Sequence, residues 1–137
     1  MFIPNNLKFN KQQKGRARGV SQNTLSFGIF GLQVNTPGRI KANQLEAARK
    51  AIRQALKRTG KVYLRIFPDI PVTKKPLEVR MGKGKGNVDH YIARVKKNQI
   101  IFELDNIDIN QAKYALKLAA DKLPLRSKFL YKNEQII

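Results

Sequence analysis

The sequence predicts an α+β fold: a two-layer sandwich of mainly antiparallel sheet and two amphipathic helices, carrying a basic N-terminal arm and a Gly/Lys-rich loop. Two segments repeat apolar residues at three- and four-residue spacing, and four to six shorter ones alternate with period two. At 137 residues and 42% apolar content, the chain is long enough for one buried core and short for two. The expected organisation is an extended arm over residues 1–23 and a single domain over 24–137, from which a loop at 80–87 protrudes.

Residues 1–23 show charge, Asn, Gln and Gly but no apolar period, hence the arm. Leu25, Phe27, Ile29 and Phe30 make 24–34 a strand, with Gly28 and Gly31 marking a bulge or a close backbone approach. Pro37-Gly38 is a turn. Leu45, Ala48, Ile52, Ala55 and Leu56 define a helix over 43–59, with Gly60 placed for a left-handed C-terminal cap. KVYLRIF at 61–67 alternates as a strand, after which Pro68, Pro71 and Pro76 bar helix and central strand. Extended structure resumes at Leu77–Met81; Asp89–Val95 and Gln99–Leu104 then read as a hairpin about a Lys97-Asn98 turn. Asp108 and Gln111 have capping-box spacing for a second helix facing inward through Ala112, Ala115, Leu116, Ala119, Ala120 and Leu123. Pro124 ends it, and Leu125–Tyr131 forms a last strand. Both helices are expected on one face of one sheet.

Charge carries the functional information. The chain has 28 Lys and Arg against 9 Asp and Glu, a formal net of +19. Residues 1–97 hold 22 basic and 4 acidic side chains, whereas 98–137 hold 6 and 5. Such a surplus repels itself in a free compact chain, so a polyanionic partner, nucleic acid before an anionic membrane, is implied. The first acid is Glu46, so Lys8, Lys11, Lys14, Arg16, Arg18, Arg39 and Lys41 lie in an acid-free stretch. On the first helix Arg49, Lys50, Arg53 and Lys57 form a cationic stripe beside the apolar one, with Glu46 alone able to pair across one turn. Interleaved Phe9, Tyr63, Phe67 and Tyr91 could stack on unpaired bases.

Other chemistries are weakly supported. There is no Cys and one His, which removes thiolate catalysis and makes a zinc site untenable. No apolar run approaches the ~20 residues of a membrane helix, and the opening MFIPNNLKFN has neither secretory nor transit-peptide order. Arg80, Met81, Gly82, Lys83, Gly84, Lys85 and Gly86 invite a phosphate-loop interpretation, but the glycine spacing fits neither the Walker nor the Rossmann pattern, and no Ser or Thr follows for Mg²⁺. Three cations with no acid between Glu78 and Asp89 suit an RNA-contacting loop better. His90 reads as a packed or stacking residue, and Asp69 and Glu78 as loop ties rather than an acid/base pair. No catalytic constellation and no cofactor site is recognised.

The ordered set Lys14-Gly15-Arg16, Arg18-Gly19, Phe27-Gly28, Phe30-Gly31-Leu32, Glu46-Ala47-Ala48-Arg49, Phe67-Pro68-Asp69, Pro71, Lys75-Pro76, Arg80 to Gly86, Lys117-Leu118-Ala119-Ala120 and Lys122-Leu123-Pro124 resembles the large-subunit ribosomal protein sixteen family of bacteria and organelles, over residues 4–131. The resemblance implies a structural, non-enzymatic protein that binds large-subunit rRNA near the peptidyl-transferase region. It implies neighbouring large-subunit proteins and tRNA at the aminoacyl site as further partners, with no membrane contact and no homo-oligomer. By that likeness Lys8 to Arg18 threads among rRNA helices, and Arg80 to Gly86 points at the tRNA cleft, the matching arginine being hydroxylated in some bacteria. Asn5, Asn6 and Asn10 stand where cations are common, Tyr63 and His90-Tyr91 where other aromatics occur, and Lys41 where Thr often caps the helix, which predicts a later helix start. Richness in Lys, Asn and Ile points to an AT-rich genome and hence to the mitochondrial matrix, with the bacterial cytoplasm or a plastid as alternatives. A non-ribosomal nucleic-acid packaging protein or RNA chaperone is the other functional class the charge allows.

Overall fold

A computed structural model describes residues 2–21 and 24–132. Met1, Gln22 and Asn23 of the expected arm, and residues 133–137 of the expected domain, lie outside the described residues. In chain order the elements are β1 (Phe30–Val34), β2 (Gly38–Lys41), α1 (Ala42–Leu56), β3 (Lys61–Leu64), β4 (Ile70–Lys74), β5 (Asn87–Val95), β6 (Ile100–Asp105), α2 (Ile109–Asp121) and β7 (Ser127–Tyr131). The class is α+β as predicted, and every strand pair is antiparallel.

The strands form two sheets, not one: β3-β6-β1-β7 and β2-β5-β4. The expected β5–β6 hairpin is absent for a reason visible at its turn. Asn98, at φ 66°, turns the chain so that its N–H donates to Val34 O at 2.8 Å, while the Val34 N–H donates to Gln99 O at 2.9 Å. The turn therefore ties itself to the end of β1, which takes β6 as partner and leaves β5 between β2 and β4. Two strands were not anticipated. β2 is four residues immediately after Pro37, and β4 contains Pro71; a proline is tolerated there because β4 is an edge strand. The prolines did exclude a central strand. Residues 77–81 form a turn instead of extended structure, and the strand expected from residue 24 begins at Phe30.

α1 and α2 pack chiefly on each other, but α1 touches β2 and β5 whereas α2 touches β1 and β7. They bridge the two sheets rather than share one face. The buried set follows the predicted spacing: Leu45, Ala48, Ile52 and Leu56 from α1, and Ala112, Ala115, Leu116 and Ala119 from α2. These meet Phe30, Leu32, Phe102 and Leu104 of one sheet and Ile40, Ala93 and Val95 of the other in a single cluster. Each fully buried Leu, Ile or Phe contributes about 1.5–3 kcal/mol relative to exposure.

Helix ends depart from expectation in detail. α1 starts directly after Lys41, earlier than predicted, because the Gln44 side chain turns back and accepts the Lys41 N–H at 2.9 Å. At its C-terminus the left-handed residues are Lys57 and Arg58 as well as Gly60. Asp108 occupies the N-cap of α2 but its side chain makes no capping bond.

The face of the four-stranded sheet opposite the helices is covered by the segment ahead of β1. Glu103 of β6, fully buried, accepts the Ser26 N–H at 2.7 Å and the Phe27 N–H at 3.1 Å, with Arg65 Nη1 at 3.7 Å. Arg65 also donates to Thr24 O at 2.7 Å, and Phe27 stacks on Tyr63 with centroids 5.5 Å apart.

Candidate nucleic-acid interface

The arm forms no helix and is held mainly through its backbone groups, with Lys11 also using its side chain, and its cations stay exposed. It runs beside β5 in the same direction. Lys11 Nζ donates to Lys85 O at 3.1 Å and Lys85 Nζ to Gln12 O at 2.6 Å, closing a reciprocal pair between arm and loop. Further along, Arg39 Nη2 of β2 donates to Gly15 O, and a Cβ on Gly15, whose φ is +68°, would lie 2.5 Å from Arg94 Nη1 and push that guanidinium aside. The arm ends on β5's far end: Val20 bridges Lys97 in parallel, the Ser21 N–H donates to Lys97 O at 2.7 Å and the Lys97 N–H to Gly19 O at 3.2 Å. Lys8, Lys11, Lys14, Arg16 and Arg18 are all exposed. Hydrogen bonds to carbonyls orient Lys11, Arg39 and Lys85 without neutralising them, so the arm, the loop and β2–β5 make one cationic surface.

The loop presents its charges on an open backbone. Residues 77–85 are exposed; Gly82 and Gly84 have φ of +104° and +95°, and Lys83 between them +62°. A Cβ at either glycine would meet nothing within 4 Å, so these two serve backbone conformation, not packing. Gly86 differs, since a Cβ there would stand 2.9 Å from Lys74 O. Lys75 Nζ donates to Gly82 O at 2.6 Å and ties the loop to the residues ahead of it. Arg80 and Met81 are exposed, Met81 at 94%.

The predicted helix stripe divides in two. Lys50 pairs with Glu46 at 3.5 Å, and Arg49 is half-buried with its guanidinium 5.5 Å over the Phe2 ring, which itself meets Phe67 edge-on. Arg53 and Lys57 are exposed, as is Lys41 at the start of the helix. Of the candidate stacking rings, Phe9 is exposed beneath Lys8 Nζ at 5.5 Å, Phe67 is half-exposed, Tyr63 is committed to Phe27, and Tyr91 is half-buried. His90 is partly covered, and its Nδ1 lies 2.7 Å from Asp89 Oδ2. That hydrogen bond is the largest influence on the Asp89 carboxyl and sets it below its ordinary 3.8.

Sequence reasoning missed Arg94, Lys75 and Lys97 as members of this surface. Arg94 could have been found, because it is the outward position between the inward-facing Ala93 and Val95 of a strand read from the sequence. Lys75 and Lys97 depend on which strands pair, which spacing does not tell.

A family model described as ribosomal protein L16p/L10e matches residues 4–130. The large ribosomal subunit protein uL16 of Dichelobacter nodosus is 52% identical over 134 residues, covering 96% of this chain and 98% of that protein. Its namesake from Buchnera aphidicola is 50% identical over 133 residues, with the same coverage. That from Rhodopseudomonas palustris is 52% identical over 132 residues, covering 95% of this chain and 96% of its own. With a match that runs from before the arm's first cation to the last strand, the chain belongs to the L16p/L10e family of ribosomal proteins.

Proposed function

We propose that the chain is a structural constituent of the large ribosomal subunit, and not an enzyme, that binds large-subunit rRNA and helps shape the aminoacyl-tRNA site near the peptidyl-transferase centre. One observation carries the rRNA contact: the arm docks mainly through its carbonyls and N–H groups, with Lys11 also bonded to the loop, and Lys8, Lys11, Lys14, Arg16 and Arg18 stay exposed next to Arg39, Arg94 and the Lys83–Lys85 loop. Each phosphate neutralised by such a cation releases counterions, which favours association most at low salt. Lys41, Lys50, Arg53 and Lys57 extend the contact along α1, while Arg49 holds Phe2 in place beside it. Arg80 to Gly86, exposed and built on a permissive backbone, is the part assigned to the tRNA cleft, where Arg80 can grip phosphate or a guanine edge with two parallel hydrogen bonds.

In this reading residues 1–23 act as the rRNA arm of a single domain over 24–137, with neighbouring large-subunit proteins as further partners. The residue bias toward Lys, Asn and Ile argues for the mitochondrial matrix, whereas the relatives named above are bacterial and support the bacterial cytoplasm. Sedimentation through a salt series tests the function. Co-migration with the large subunit, lost only at high salt, is expected; binding to duplex DNA without regard to sequence, and no association with the subunit, would favour a packaging protein or RNA chaperone instead.

A further inference from the structure

Beyond the arm and the loop, a cleft of about 390 Å³ opens between the end of α1 and β3. Arg53, Arg58, Lys61 and Tyr63 line it together with Thr59 and Gly60. Its volume lies within the ~300–1,000 Å³ of small-ligand sites. Arg53, Arg58 and Lys61 are exposed, and among the described residues none is within 4 Å of a carboxylate, although Asp105 stands opposite Lys61 across the β3–β6 pair.

The backbone supplies a second, independent observation. Among the described residues five other than glycine have positive φ: Lys57 at 50°, Arg58 at 67°, Lys83 at 62°, Asn98 at 66° and Asn106 at 59°. Asparagine tolerates this conformation through its short side chain, whereas a long side chain adopts it less readily. Lys83 belongs to the exposed loop already described. Lys57 and Arg58 are consecutive, and the next turn is closed by Gly60, where a Cβ would stand 2.2 Å from Ile107 Cγ2. Holding two cations in a strained turn where Gly or Asn would be easier means that the side chains, not the backbone, are what the position requires. Complementing the α1 dipole accounts for Arg53 and Lys57 in and just beyond the last turn. It does not account for Lys61, which lies on the next strand.

We infer that this cleft is an additional RNA-backbone site, in which Arg53, Arg58 and Lys61 hold successive phosphates. The inference rests on the proposed rRNA-binding function and adds Arg58 and Lys61 to its surface. RNA is the occupant because three cations lining one cleft match the closely repeated phosphates of its backbone.

The test uses the full chain and deproteinised bacterial large-subunit rRNA, with affinity measured by filter binding across a KCl series. Arg53→Gln/Arg58→Gln/Lys61→Gln should lower the magnitude of the log K against log salt slope by about 2, at ~0.7–0.9 per phosphate contact. Lys117→Gln/Lys122→Gln/Lys128→Gln, which removes the same charge from exposed positions elsewhere, should leave the slope unchanged. Equal losses from both triples would overturn the site. Arg58→Gly separates binding from folding, because it relieves the strained φ: the thermal midpoint should stay equal or rise while RNA affinity falls. A lower midpoint with an unchanged slope would make Arg58 structural. If the wild-type chain shows no salt-dependent affinity for this RNA, the rRNA-binding function fails; if it does and the cleft triple keeps the wild-type slope, only the cleft fails.

Discussion

Glu103 is the position where a single change should cost the fold most for the least volume. Its carboxylate is fully buried and does three things: it accepts from Ser26 N at 2.7 Å and from Phe27 N at 3.1 Å, and faces Arg65 Nη1 at 3.7 Å. Glu103→Ala leaves two backbone donors without their acceptor and a mostly covered guanidinium without its counter-charge. An orphaned buried donor costs about 1–3 kcal/mol, and breaking one side of a buried pair about 3–5 kcal/mol. These overlap, because the freed groups relax together and Arg65 keeps Thr24 O at 2.7 Å, so a net loss of about 4 kcal/mol is expected. A domain of ordinary stability, about 5–15 kcal/mol, survives that loss in part. Glu103→Gln keeps one carbonyl acceptor and loses the charge, so about half the cost is expected. Urea unfolding at pH 7 measures both, and amide hydrogen exchange should accelerate at Ser26 and Phe27 before the rest of the sheet. Loss of less than about 1 kcal/mol in Glu103→Ala would show that the segment ahead of β1 is held by Leu25 and the Phe27–Tyr63 stack instead.

Three other outcomes follow from the geometry. Gly28→Ala places a Cβ 2.4 Å from Leu104 O and should destabilise by about 3 kcal/mol in urea unfolding, whereas Gly84→Ala meets open space and should lose only about 1 kcal/mol to its positive φ. The Asp89 carboxyl, depressed chiefly by the His90 hydrogen bond, should titrate by NMR below 3.8 and move up toward it in His90→Phe; the linked stability is present above 3.8 and lost as pH falls through the folded-state value. An unmoved midpoint would remove His90 as the cause. Arg80→Ala/Lys83→Ala/Lys85→Ala should leave the circular dichroism of the isolated chain intact while impairing tRNA accommodation or late subunit assembly, and wild-type translation by fully substituted ribosomes would refute the role given to the loop.

What could be read in advance was whatever depends on neighbours in sequence. The apolar faces of α1 and α2 came out residue by residue because helical spacing is a local property, and the same faces bury Leu45, Ile52, Ala112 and Leu116. Pairing is not local. β5 and β6 have the pattern of a hairpin, but Asn98 and Gln99 bond to Val34, sixty-odd positions earlier, and that contact decides which sheet each strand joins. β4 was missed because three prolines outweigh a Val and an Ile in any local account, although an edge strand asks for few ladder donors. Glu103 looked like an ordinary strand residue, since nothing in QIIFEL says that another segment will fold over its outward face.

The candidate site divides along the same line. That Lys8 to Arg18 and Arg80 to Gly86 carry unmatched charge is visible in composition, but that they touch each other is not: Lys11 and Lys85 are 74 positions apart and meet through carbonyls, a partner every residue possesses and no motif records. The consequence is physical. Two like-charged segments lie side by side at a cost that rises as salt falls, and the hydrogen bonds that hold them there are exposed and individually worth only about 1 kcal/mol. Lys11→Ala should therefore release the loop from the arm in the free chain, seen as altered amide exchange across 82–86, most clearly at low salt. Added polyanion should restore the protected state in the wild-type chain by screening the repulsion. Exchange across 82–86 that ignores both the substitution and the salt would mean that Lys75, through Gly82 O, holds the loop without help from the arm.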